Sequence, residues 1–320
     1  MTPSPSRMSF RFHGQAGEYF RIWIVNICLT VITLGIYSAW AKVRRKRYFY
    51  SNTQLNVSSF DYLASPGSIL KGRLIVFVAF VVYSITKDFF PPAAIVMLVV
   101  LLFVLPIIVI RALRFNAVNS SYRNVRFGFK ANYGETLGLV LIPIFLIALT
   151  LGLIYPYYAY RKRKYFIEHS AYGGTPFTFS ATAGAYYSIY VQVSLRFLLV
   201  LVGSIVTLGL GLIPLYAWLS AYRDAAIARL SWSNTALGDI RFDCDWKTGP
   251  LFKLYIVNAL AVFFTLGLLL PWAAIRLARY QIGNVSIAGG NLDSFVAANA
   301  QAIDATGEEA DLFLGFDFGL

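Results

Sequence analysis

Thr33-Leu34-Gly35-Ile36-Tyr37-Ser38-Ala39-Trp40-Ala41-Lys42-Val43-Arg44 ends an apolar run in aromatic rings and bases, and its pattern returns twice. Thr-Leu-Gly recurs at Thr150–Gly152 and Thr265–Gly267. Four residues after each glycine stands Ala39, Pro156 or Pro271, followed at once by Trp40, Tyr157 or Trp272. An arginine comes nine residues after it: Arg44, Arg161 or Arg276. A second base follows at twelve, Arg47, Lys164 or Arg279, and then Tyr48, Tyr165 or Tyr280. Upstream, Gly17, Gly134 and Gly249 each precede the threonine by sixteen residues, and Ile24-Val25-Asn26 reappears as Ile256-Val257-Asn258. So many shared offsets define one unit in three copies.

The solvent of this unit follows from composition. Hydrophobic residues make up 58% of 320 and charged residues 13%, too apolar a chain to hide its surface in water. Ile22–Ala41, Ala93–Ile110, Thr136–Tyr160, Phe197–Leu219 and Leu251–Ile275 each approach the roughly 20 apolar residues that cross a bilayer. Leu74–Thr86 does so if it begins near Ile69, with Lys71 and Arg73 snorkelling to the interface. The first run lacks a signal-peptide cleavage site and reads as a retained membrane segment. Cys28 and Cys244 form no disulfide framework, and His13 and His169 are too scattered for a metal site. The net charge of +13 sits at the ends of the apolar runs. This placement points to the positive-inside bias and anionic membrane lipids as partners, and away from nucleic acid. Protein partners and oligomeric state are not readable.

Short alternating segments flank the copies. Phe10-Arg11-Phe12, Phe127-Gly128-Phe129 and Phe242-Asp243-Cys244 precede the apolar runs. Phe60-Asp61-Tyr62, Phe177-Thr178-Phe179 and, more weakly, Leu292-Asp293-Ser294 follow them. They read either as strands paired in small hairpins or as aromatic anchors in interfacial loops. The expected architecture is a mainly α, polytopic membrane helical bundle with three internal repeats and β-hairpin-like segments at its cytoplasmic face. One integral domain would occupy residues 1–300, with units at about 8–63, 125–180 and 240–296 and connecting helices at about 69–113 and 185–222. An acidic tail, 301–320, carries aromatic residues and has a charge suited to docking on the basic face.

Glu18-Tyr-Phe-Arg-Ile-Trp-Ile-Val-Asn26, the Thr33–Arg44 stretch and Arg47-Tyr-Phe-Tyr-Ser-Asn-Thr53 resemble the YjgN-like family of bacterial multi-pass inner-membrane proteins. The similarity runs to about Asn299. It implies a location, the bacterial inner membrane, and no activity, because the family's function is unknown.

One conflict arises. If every apolar run crosses once, Arg161–Lys164 falls outside, against the positive-inside rule. A break at the Gly-x3-Pro or Gly-x3-Ala element, marked by Gly35, Gly152, Pro156, Gly267 and Pro271, would instead return each basic end to the face of entry. Alternatively, the glycines only allow close helix packing.

No catalytic constellation appears: there is no GxSxG elbow, HExxH or Walker A loop, so an enzyme is not expected and no cofactor is implied. The basic-aromatic ends are candidates to face lipid or solute: Trp40, Arg44, Arg47, Tyr48, Tyr157, Arg161, Lys164, Tyr165, Trp272, Arg276, Arg279 and Tyr280. Asn26 and Asn258 are candidate polar groups within the membrane. Glu18 and Glu135 read as helix-entrance carboxylates that complement the dipole. The leading function is binding or passage of a small or lipidic solute, and the alternative is a non-transporting scaffold for anionic lipids or partner proteins.

Overall fold

The computed structural model describes residues 7–209 and 211–290, within which ten short strands close into a single antiparallel barrel. The strands come as β1 (Met8–Phe12), β2 (Thr53–Leu55), β3 (Ser58–Tyr62), β4 (Ser120–Tyr122) and β5 (Val125–Phe129). The second half supplies β6 (Ser170–Tyr172), β7 (Thr175–Phe179), β8 (Thr235–Leu237), β9 (Ile240–Cys244) and β10 (Val285–Ala288). Helical hairpins join every second pair. They are α1 (Ala16–Ile32) with α2 (Ser38–Ser51), α3 (Pro66–Phe89) with α4 (Pro91–Val118), and α5 (Tyr133–Leu149) with α6 (Tyr155–Glu168). Then come α7 (Ala183–Val206) with α8 (Leu212–Ser233), and α9 (Thr248–Phe264) with α10 (Leu270–Gly283). The other connections are two-residue turns such as Asn56-Val57 and Gly173-Gly174, whose Asn56 and Gly173 take the positive φ of tight hairpins.

Antiparallel order then fixes the shape. The four tight turns lie at one end of the barrel, so all five helical hairpins leave from the other. Neighbouring helices pack in sequence and α1 meets α10, giving a crown of ten helices on a ring of ten strands.

The expected polytopic bundle of three repeats is therefore corrected. The alternating segments are staves of one barrel, and only α3, α4 and α7 among the described residues are long and apolar enough to cross a membrane. Each apolar run around a Thr-Leu-Gly turns back on itself. Leu34-Gly35, Leu151-Gly152 and Leu266-Gly267 all have positive φ, and so does a fourth pair, Leu208-Gly209, inside the connecting segment. Glycine adopts φ near +90° freely, which lets the chain reverse between two helices. Pro156 and Pro271 do not break helices; they sit in the first turns of α6 and α10, where a missing N–H costs nothing. The connecting segments are the second and fourth hairpins. The outgoing strand sought at Leu292-Asp293-Ser294 lies outside the described residues, as does the acidic tail, and β10 pairs instead with β1 (Met8↔Ile287).

Strand alternation decides what the barrel holds. In β1, β5 and β9 the inward residues are apolar (Phe10, Phe127, Phe242), while Arg11, Arg126 and Arg241 point out and are exposed. That is the reverse of a membrane-spanning barrel, whose outer face must be apolar. Strands of three to five residues are also far short of the roughly 9–11 that span a bilayer. The barrel thus presents a polar outer face, and the exposed apolar surface lies on the crown.

Candidate functional site

The middle residue of each odd-numbered strand is a phenylalanine: Phe10, Phe60, Phe127, Phe177 and Phe242. Each faces an inward residue of the next even-numbered strand: Leu55, Tyr122, Tyr172, Leu237 or Ile287. The rings make an inner collar, with centroids 6.1 Å apart for Phe10–Phe60, 6.5 Å for Phe60–Phe127 and 6.1 Å for Phe177–Phe242. An eight-stranded barrel is about filled by its own side chains, so ten strands leave space. Here that space is a cavity of about 320 Å³ above the collar, at the lower end of the range for ligand sites.

The floor is closed. Leu55, Tyr122, Tyr172, Leu237, Ile240 and Ile287 are packed together at 4% exposure or less. Two hydroxyls lock it: Tyr122 Oη donates to the Leu55 carbonyl at 2.7 Å and Tyr172 Oη to the Tyr122 carbonyl at 2.9 Å. Burial pushes the Tyr172 phenol up to about 12, since the phenolate would lose its water.

Polarity enters only at the crown side of the cavity. Arg163, Ser170, Ser231 and Thr235 edge it beside Phe166 and Trp232. Arg163 Nε donates to Ser231 Oγ at 3.1 Å, and Ser231 Oγ in turn shares a hydrogen bond with Tyr186 Oη at 3.0 Å. An apolar blind chamber with a guanidinium at its rim is complementary to an amphiphile with an anionic head.

The sequence-based candidates are distributed otherwise, and many hold the architecture. Arg47 donates to the carbonyls of Tyr62 (3.2 Å) and Ala64 (3.1 Å), and Arg279 to that of Gly14 (3.0 Å). Tyr48 Oη accepts from the Gln15 N–H and Tyr280 Oη from the Lys247 N–H, both at 2.8 Å, pinning the starts of α1 and α9. Tyr165 Oη meets Thr136 Oγ1 at 2.5 Å across α5 and α6, and Lys164 pairs with Glu168 at 3.8 Å. The Arg276 guanidinium lies 4.4 Å from the Trp272 ring centre and donates to Asn258 Oδ1. Trp40 stacks with Tyr37, Arg44 is exposed, and Tyr157 and Arg161 line a separate cleft between α5 and α6. Glu18 accepts from Tyr48 Oη, and Glu135 pairs with His169.

Counting back from the helix ends reveals a pattern that Thr-Leu-Gly hides. The residues Asn52, Asn119, His169, Asn234 and Asn284 each end a helix, and in every case a ring or amide nitrogen meets the carbonyl four residues earlier. Five residues before each cap stands a base: Arg47, Arg114, Lys164, Arg229 or Arg279. Arg229 donates to the Trp246 carbonyl at 2.7 Å, two residues beyond β9, as Arg47 and Arg279 do two residues beyond β3 and β1. This signature, a base followed five residues later by Asn (His169 in the third hairpin), occurs once in each of the five hairpins and was legible in the sequence.

The family model described as a bacterial protein of unknown function, DUF898, matches residues 7–213 and 203–312. The chain belongs to this DUF898, or YjgN-like, family. Members similar to it include the inner membrane protein YjgN of Escherichia coli O157:H7, 30% identical over 83% of this chain and 58% of that protein. YjgN of Escherichia coli strain K12 is 29% identical over the same shares. YjgN of Salmonella typhimurium is 36% identical over 38% of this chain and 31% of its own length. The chain thus matches little more than half the length of these DUF898 relatives at most. No solved structure matches it.

Proposed function

We propose that this DUF898 chain is a bacterial inner-membrane protein that holds the anionic head and first carbons of a lipidic amphiphile in the chamber between its barrel and its crown. The observation that carries this reading is the collar of five phenylalanines beneath Arg163 and Ser231, closed below and open toward the crown. A closed floor favours binding over passage through the barrel.

The membrane arrangement belongs to the same proposal. The leucines at the four Thr-Leu-Gly tips are 93% to 95% exposed, so they enter lipid. Bases begin about 6 Å from the tip in α2 (Lys42) and about 9 Å in α6 (Arg161) and α10 (Arg276), by helix rise. Such short apolar caps on these three hairpins suit the 5–10 Å depth of interfacial insertion. The α3–α4 hairpin, about 36 Å along α3, passes through the bilayer and places Lys87 and Asp88 at the far surface. The barrel and every basic helix end then share the cytoplasmic side, which removes the charge conflict at Arg161–Lys164.

A fluorescent fatty acid titrated against the detergent-purified protein tests the chamber. Saturable binding is expected, weakened at least tenfold by Arg163→Gln and by Phe177→Asp. Binding that survives both substitutions in folded protein would refute it.

A further inference from the structure

A second cavity, of about 460 Å³, lies between α1, α2 and α3, away from the barrel chamber. Three bases line it, Lys42, Arg45 and Arg73, and no carboxylate is among its lining residues. Arg73 also hydrogen-bonds Ser38 Oγ, which fixes the guanidinium at the cavity wall.

Asn26 supplies the second, independent observation. It lines the same cavity, is 8% exposed, and its Oδ1 is buried without a hydrogen-bond partner. Such an orphaned acceptor is destabilising unless something donates to it. Its counterpart at the same offset, Asn258, has no such need: Arg276 donates to its Oδ1 at 3.1 Å, and its amide donates to the Ala273 carbonyl at 3.2 Å. The two hairpins share the asparagine, and only the first leaves it open beside a basic cluster.

We infer that this cavity binds a phosphate ester carrying its own hydrogen-bond donor. The phosphate oxygens accept from Arg45 and Arg73, and a hydroxyl or ammonium group on the same molecule donates to Asn26 Oδ1. Trp23 and Ile27 on the cavity wall accommodate adjoining carbons. Two sources share this chemistry, a glycerophospholipid headgroup and a small soluble phosphate ester. The inference stands apart from the barrel chamber and needs none of its residues.

Native mass spectrometry of the full chain, titrated separately with phosphatidylglycerol, phosphatidylcholine and glycerol phosphate, tests it. Phosphatidylglycerol is expected to bind at least fivefold more tightly than phosphatidylcholine, whose quaternary ammonium donates no hydrogen bond. Asn26→Leu should abolish that preference, and Arg45→Gln/Arg73→Gln should weaken both lipids about tenfold. Arg45 is exposed, so Arg45→Gln alone retains the fold and should still weaken binding. Glycerol phosphate binding as tightly as the lipid assigns the soluble source, and lipid binding alone assigns the headgroup. Equal binding of the two lipids by the wild type, or affinities unchanged in the arginine variants, overturns the inference.

Discussion

Ser9 and Ser286 are direct partners across β1 and β10, the pairing that closes the ring. Directly opposed antiparallel residues have Cα atoms about 4.5–5.5 Å apart, inside the 4.4–6.8 Å window of a disulfide. Replacing both by cysteine, with Cys28→Ser and Cys244→Ala to remove competing thiols, should therefore yield a cross-link under mild oxidation. The loop so closed holds roughly 280 residues, for which the chain-entropy model gives an upper figure of about 5.6 kcal/mol of stabilisation. The assay is a faster-migrating band on non-reducing gels that reverts with reductant, together with a raised thermal midpoint in detergent. An open arrangement would leave these residues apart. Absence of the intramolecular band, with only disulfide dimers formed, would refute the closed barrel.

Three further outcomes are expected. Between pH 10 and 12 the wild type should lose about 2.7 kcal/mol of stability relative to Tyr172→Phe, measured by chemical denaturation across that range. The sign follows from the raised phenol: the unfolded chain ionises near pH 10, the folded one only near 12, so the contribution is whole below 10 and lost as pH climbs. Gly152→Ala should cost about 1–2 kcal/mol, because φ is +85° there and no neighbour obstructs a Cβ, whereas Gly174→Ala, equally unobstructed but without positive φ, should be nearly neutral; thermal melts compare them. Arg47→Lys should cost about 1–2 kcal/mol by denaturant titration, since an ammonium cannot span the Tyr62 and Ala64 carbonyls as the guanidinium fork does.

Much of the helical crown was legible because its signals are local. Thr-Leu-Gly, the aromatic ending and the bases lie within sixteen residues of one another, and apolar runs announce their solvent by composition alone. The fourth Thr-Leu-Gly does not align with the others because α8 is longer, placing its matching base, Arg229, twenty residues after Gly209 where the first unit has twelve. The barrel was less legible. Thr53–Leu55 and its equivalents are three residues long, too short for alternation to register, and their partners lie beyond an intervening helical hairpin. The phenylalanine collar was visible as separate Phe-x-Phe flanks, yet nothing local states that five such residues converge. Asn26 and Asn258 looked equivalent by offset; only the packing of Arg276 separates them.

The closing pair also orders events during synthesis. A ring whose last stave must meet its first stays an open sheet until residue 288 leaves the ribosome, with both margins unpaired and apt to recruit strands from other chains. All five helical hairpins precede that residue in the chain. Their entry into lipid would hold the growing sheet at a surface and in one orientation, so that the membrane serves as the jig on which the final seam is made.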